Sequence, residues 1–260
     1  MQRTAQRTGV EPGEVLRRYY RVLLRQLGPQ GWWPARTRLE IILGAILVQN
    51  TNWRNAALAI ARLREAGLIE DRRISDASLA QLEALIRPAG YFRQKARTLQ
   101  SFAHWLQSIY HGRLDDLFAQ PGSTVRTQLL ALRGLGPETV DAILLYAGNK
   151  PFFVADAYSR RILSRHGLIP ARDGYAEAQG FLHRHLPADP ALMGEFHALL
   201  VETGKRYCRR QAPQCESCPL GTHLTASQRR KLMQHLGTSK PHRIRAIVLA
   251  GEDSTNYASR

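Results

Sequence analysis

The sequence predicts an all-α fold. Apolar residues recur at helical spacing along most of the chain, strand signals are nearly absent, and capping residues and glycines punctuate the helical stretches. Val15, Leu16, Tyr19, Val22 and Leu23 make the first apolar face. Leu39–Val48 contains the longest apolar segment, Ile41–Val48, and reads as a core helix. Asn52 and Ser78 are placed to cap helices over Trp53–Leu63 and Leu79–Ile86, because a short polar side chain accepts from the free N–H groups of a first turn. Ala96, Leu99, Phe102, Ala103, Leu106 and Ile109 line another face. Further helices are expected at Thr124–Ala131 (with Ser123 as cap), Glu138–Ala147, Ala157–His166, Tyr175–Leu186 and Ala191–Thr203, with Gly67, Gly90 and Gly167 following helix ends. Phe152–Ala155 and Ile244–Leu249 read as extended but lack an evident partner, and from Ser227 the chain turns polar and basic, as in a flexible tail.

The 260 residues suffice for one large core or two modest ones. Lys and Arg number 37 against 21 Asp and Glu, a net charge of +16. So basic a chain implies a polyanionic partner, and the dominance of arginine, whose planar fork bonds two phosphate oxygens at once, favours nucleic acid over an anionic membrane. No apolar run is long enough to span a bilayer as a helix. Met1–Val10 is basic without an apolar stretch, unlike a secretory signal, so a cytoplasmic, nucleoid-associated protein is expected; a monomer is expected as well. The cysteines, Cys208, Cys215 and Cys218, cluster at one place, which suits a metal or cluster site, or its remnant, better than a disulfide framework.

Leu132-Arg133-Gly134-Leu135-Gly136-Pro137-Glu138-Thr139-Val140 lies between two helical patterns. Two glycines one residue apart permit a tight turn and close approach of the backbone to a ligand, and Pro137 fits a first helical turn. Such a segment is either a bare αα corner or a hairpin whose free N–H groups meet a phosphate; the charge of the chain favours the hairpin.

Four ordered segments together resemble the endonuclease III-like helix-hairpin-helix DNA glycosylases, over roughly Trp32 to Cys218. They are Leu43–Thr51 with Gln49 at its polar end, Arg87–Ala96 with a Gly-aromatic-x-x-Lys-Ala turn, the hairpin, and Val154-Ala155-Asp156 with its helix. The lead-in Trp32-Trp33-Pro34, the Gln49-Asn50-Thr51 loop and the hairpin's continuation Asp141-Ala142-Ile143-Leu144 are most similar to the branch called 3-methyladenine DNA glycosylase III. The resemblance implies two helical lobes with a DNA cleft between them: a helical barrel over residues 39–149, and a second lobe built from 11–38 and 150–226, followed by the tail 227–260.

It also implies roles. Asp156 is the catalytic carboxylate that stabilises a developing cationic sugar, although an aspartate at that place also reads as a plain N-cap. Glu138 stands where bifunctional members carry a lysine nucleophile; a carboxylate cannot form a Schiff base, so base release without strand cleavage is expected. Trp32, Trp33 and Phe92 are candidates to line an electron-rich base pocket, with Lys205 beside it. Gln49 is placed to fill the gap of a flipped nucleotide. Arg93, Lys95 and Arg133, with Gly134 and Gly136, are expected at the DNA backbone, along with Arg97. Cys208, Cys215 and Cys218 keep three positions of a four-cysteine [4Fe–4S] loop; the fourth position is Leu224, with the adjacent His223 as the alternative fourth ligand to a cluster or a zinc ion. That favours loss of the cluster, and none is required for the chemistry. The expected substrate is double-stranded DNA bearing a damaged base, an alkylated purine such as 3-methyladenine. The alternatives are a deaminated or mismatched pyrimidine, or a non-catalytic DNA-binding module.

Overall fold

In the computed structural model the chain is described at residues 10–69, 71–228, 230 and 232. Helix α1 (Pro12–Leu27) begins on a proline, whose missing N–H costs nothing in a first turn, and buries Leu16, Tyr19 and Leu23. α2 (Arg38–Leu47) starts on a Thr37 side chain that accepts from Glu40 N. Beyond Arg38 at its start it is apolar except for Glu40, whose carboxylate accepts from Arg64 at 3.0 and 2.8 Å and from the Arg36 N–H at 2.7 Å. Asn52 caps α3 (Trp53–Glu65), and after α4 (Asp71–Asp76) Ser78 caps α5 (Leu79–Ile86). A 3-10 turn, Arg87–Ala89, leads into α6 (Phe92–Tyr110), then α7 (Leu114–Ala119) and α8 (Gly122–Leu130). α9 (Pro137–Ala142) runs into a π turn at Ile143–Ala147. α10 (Ala157–Arg165), α11 (Tyr175–His185), α12 (Pro190–Arg206) and a 3-10 turn at Gly221–His223 complete the order.

No strand occurs among the described residues, so the fold is all-α. Phe152–Ala155 is irregular rather than a strand, tied down by a bond from Phe153 N to His183. Ser123 lies inside α8, whose cap position is Pro121. Ile244–Leu249 and most of the expected tail lie outside the described residues.

The helices gather into two lobes around two hydrophobic clusters. One draws on α2 through α9, with Ile42, Leu43, Phe102 and Val140 among its fully buried members. The other draws on α1 and α10 through α12, with Leu16, Phe153, Ile162 and Phe196. The π turn serves both: Ile143, Leu144 and Ala147 belong to the first cluster and Leu145 to the second. An extra residue per turn rotates Leu145 out of line with its neighbours, as such bulges do at functional places. Behind this junction Asp141 is fully buried. It accepts from Arg126 at 2.7 and 3.2 Å, from the Tyr175 hydroxyl at 2.9 Å and from Gln179 at 2.7 Å. Four donors from α8 and α11 satisfy a charge that would otherwise be costly to bury, and they bolt α9 to the second lobe.

Candidate active site

Asp156 sits where the lobes meet, 8 % exposed, as the N-cap of α10. Its Oδ1 accepts from Ser159 N at 2.7 Å. His197 of α12 brings Nε2 to 3.8 Å from Oδ2, within ion-pair reach but short of a hydrogen bond. Burial works to raise the Asp156 pKa, but His197 and Ser159 outweigh it, so the carboxyl is held below the usual carboxylate range. The helix N-terminus acts in the same direction. A buried carboxylate held in its ionised form is the charge needed beside a developing cation.

Glu138 lies in the first turn of α9, exposed on the hairpin and close enough to feel the Asp156 charge. Its carboxyl is pushed upward, first by shielding from solvent and then by the Asp156 charge, with His197 and Arg160 acting the other way. The hairpin residue that feels the charge of the catalytic candidate is therefore a second acid, not an amine.

The tryptophans flank this pair. The Trp32 ring meets His197 edge-on with centroids 5.9 Å apart, and the Lys205 ammonium lies 5.0 Å from the same ring. Trp33 packs against Trp53 at 5.4 Å and Tyr146 at 5.2 Å, and fits against Gly44, where a Cβ would come within 3.2 Å of it. Phe92 does not join them. The guanidinium groups of Arg87 and Arg93 each lie 5.9 Å from its ring, which packs on the first cluster.

The hairpin loop turns Leu135 inward, 5 % exposed, and leaves Arg133, Gly134 and Gly136 outside. Gly134 has φ +94°, and a Cβ there would overlap the Thr98 side chain; Gly136 has φ −89° and open space around it. Gln49 does not project freely. Its Nε2 donates to Gly134 O at 3.1 Å and Thr139 Oγ1 at 2.8 Å, which ties the end of α2 to the hairpin. Lys95 is also placed differently from the expectation of a phosphate contact. It is 4 % exposed, and its ammonium donates to Leu47 O at 2.9 Å and Ala89 O at 2.7 Å. These carbonyls end α2 and the 3-10 turn, the electronegative end of a helix, so the lysine caps from inside; burial lowers its pKa to about 8. Arg93 and Arg97 are exposed on α6. Tyr91, which sequence reasoning passed over, adjoins them: 67 % exposed, with φ +46°, a strained setting for an aromatic residue.

The cysteine loop does not fit a four-thiolate cluster. Cys208 is buried, and its sulfur accepts from Arg165 at 3.2 Å. Leu224, at the fourth position, is 7 % exposed and packs into the same space. That cavity holds about 10 Å³, room for about one water. His223 lies against Tyr19 with ring centroids 5.4 Å apart. Among the described residues no group of three or more His, Cys, Asp or Glu side chains is arranged to hold a metal ion. Instead Arg161 donates to Cys208 O and Gly204 O, and Arg165 to Arg209 O and Arg210 O, so two arginines one turn apart on α10 hold the loop.

The model of the HhH-GPD superfamily base excision DNA repair proteins matches residues 43–187. The chain belongs to that superfamily. The match takes in α2, the hairpin, Asp156 and α10. A candidate DNA repair glycosylase of Methanocaldococcus jannaschii is 39 % identical over 209 residues, 80 % of this chain and 94 % of that one. Among solved structures, a trapped endonuclease III–DNA covalent intermediate has TM-score 0.73 and 23 % identity, covering 86 % of this chain and 100 % of that one. H. pylori 3-methyladenine DNA glycosylase bound to 1,N6-ethenoadenine has TM-score 0.67 and 27 % identity, covering 76 % and 98 %. This superfamily member is thus a DNA glycosylase with an endonuclease III-type fold.

Proposed function

We propose that this glycosylase is monofunctional: it hydrolyses the N-glycosidic bond of a damaged base in double-stranded DNA, an alkylated purine such as 3-methyladenine, and leaves the strand intact. The observation that carries the reading is that the hairpin presents Glu138, in the first turn of α9 and within the charge field of the buried Asp156, rather than an amine. The C1′–N bond breaks with its electrons leaving on the base, and Asp156 stabilises the oxocarbenium character that develops. A water then bonds to C1′ on the face that the carboxylate guards, giving up one proton to the Asp156 carboxylate, which returns it to solvent. An alkylated purine leaves readily because it departs as a neutral base, so an aspartate and a water suffice.

The pocket supports the same substrate class. Trp32 presents a ring face that already draws the Lys205 ammonium, and a cationic purine satisfies that face equally well once the exposed lysine swings aside. The likeness to the H. pylori 3-methyladenine enzyme, spread over most of both chains, points the same way. For DNA binding, Gly136 is informative: neither its backbone angles nor any neighbour in the chain calls for glycine, which suits a loop that an external phosphate backbone approaches closely. Arg133, Arg93 and Arg97 supply exposed charge on that side, and Tyr91 an exposed ring for stacking.

The test is single-turnover base release from duplexes bearing alkylated purines, deaminated pyrimidines or mismatches, with Asp156→Asn as control and borohydride trapping alongside. Release of alkylated purine, reduced on the order of 100-fold or more by Asp156→Asn, with no trapped adduct, is the expected result. Efficient trapping overturns monofunctionality, and preference for a pyrimidine lesion overturns the substrate class. Binding without release of any base leaves only a DNA-binding module.

A further inference from the structure

His197 is 5 % exposed, on the inner face of α12. Its Nδ1 lies 2.6 Å from the Tyr146 hydroxyl, which also lies 3.0 Å from Gly194 O. Its Nε2 is shut away from solvent without a hydrogen-bond partner, and faces Asp156 Oδ2 at 3.8 Å. A buried donor or acceptor left unpaired is costly, so the protons of this chain are worth placing.

Gly194 O can only accept. If the Tyr146 O–H points to it, the phenol oxygen must accept from His197 Nδ1–H. A bare Nε2 would then turn its lone pair on a carboxylate oxygen in a dry site, so Nε2 carries a proton too and the ring is an imidazolium. If Tyr146 instead donates to Nδ1, the ring is neutral and its one proton sits on Nε2. The remaining tautomer, with Nδ1–H and a bare Nε2, is the one that Asp156 excludes. Both surviving arrangements aim an N–H at Asp156. Glu138 from α9 feels the charge of this ring, and Arg160 from α10 acts on the same carboxyl, while Trp32 and Phe153 close the ring off with apolar edges.

We propose that His197, its ring fixed by Tyr146, is a positioning residue for Asp156: its Nε2–H closes onto Oδ2 when the cleft receives a nucleotide. Resting on the reading of Asp156 as the catalytic carboxylate, this gives each carboxylate oxygen one fixed donor, Ser159 N–H on Oδ1 and His197 N–H on Oδ2. The carboxylate plane is then set, and protonation of Asp156 is opposed by a group that water does not reach. A packing role alone needs only the ring; this role needs the N–H.

The experiment pairs spectroscopy with kinetics on the full-length protein. In ¹⁵N-histidine spectra of the wild type, His197 shows a protonated Nε2, and Asp156→Asn shifts that signal; a neutral ring protonated only on Nδ1 overturns the proposal. In single-turnover base release, His197→Phe keeps an aromatic ring without donors. It slows the chemical step on the order of 10-fold or more, moves the acid limb of the pH–rate profile to higher pH, and leaves DNA affinity unchanged. His197→Gln, which carries an N–H to the Nε2 position, recovers most of the rate. Equal loss in both variants, or His197→Phe with an unmoved acid limb, overturns the proposal. Failure of the catalytic reading shows separately, as full activity in Asp156→Asn with the ¹⁵N signature intact. If His197→Phe does not fold, the wild-type spectrum still decides.

Discussion

Gly134 and Gly136 sit one residue apart in the hairpin, yet substitution by alanine should separate stability from binding. At Gly134 the chain has φ +94°, which an L-residue adopts at a cost of about 1–2 kcal/mol. The new methyl would also overlap Thr98 Oγ1 and sit 3.2 Å from Thr98 Cβ and Cγ2. Overpacking of that kind costs about 1–3 kcal/mol, so Gly134→Ala is expected to destabilise the protein by about 2–5 kcal/mol. Thr98→Ala removes the obstacle and forfeits bonds to Gln94 O at 3.1 Å and Arg133 O at 3.4 Å, both modest. In the double variant the overlap cost of about 1–3 kcal/mol should return while the φ cost stays. Gly136→Ala meets neither problem, so its stability should stay within about 0.5 kcal/mol of wild type. Its affinity for duplex DNA should nevertheless fall about 10-fold, equivalent to about 1.4 kcal/mol, because the methyl stands where a phosphate approaches. Urea unfolding of the four variants reads the first quantity, and fluorescence anisotropy at fixed salt the second. Absence of coupling between positions 98 and 134 refutes the packing argument, and unchanged affinity in Gly136→Ala refutes close approach of DNA to this loop.

Lys205→Met should speed release of a cationic 3-alkylpurine several-fold, about 2- to 10-fold, and leave release of neutral ethenoadenine unimproved; equal effects on both would remove Lys205 from the pocket. His166 is held neutral by burial, with the nearby His223 adding to the effect, and its pKa falls to about 4. The unfolded chain, titrating near 6.5, takes up that proton first, so stability present above pH 6.5 should decline as pH falls toward 4, by up to about 3 kcal/mol. Unfolding curves across that range should lose this part of their slope in His166→Phe, and an unchanged slope would contradict it. In the cysteine loop, Arg165→Ala should lower the melting temperature whereas an iron chelator should not; stoichiometric iron and sulfide in the purified protein would reverse this reading.

The helices were legible because their apolar faces repeat at a strong helical period and several begin on Ser, Asn or Asp. The short α4 and α7 were not, since six residues leave too little periodicity to read. In the site, Asp156 announced itself as a cap, and its chemistry only through the company it keeps. Lys95 shows the limit well: a lysine in a basic stretch reads as a phosphate contact, and nothing in its neighbours says that the side chain turns inward to two carbonyls. His197 and Tyr146 escaped because each lies within a run that reads as ordinary core. A histidine in the apolar stretch Met193–Val201 was the one signal available, and its meaning depends on Asp156, 41 positions earlier in the chain.

The lobe built from both chain ends has a consequence for synthesis. α1 leaves the ribosome long before α11 and α12, the helices it packs against, have been made. Until then Leu16, Tyr19 and Leu23 have no partner, while the helices of the other lobe already have theirs. Helix α1 thus waits, sticky face outward, for α11 and α12, and the interval in which nascent chains are prone to aggregate or to need a chaperone is set by the length of the barrel inserted between them.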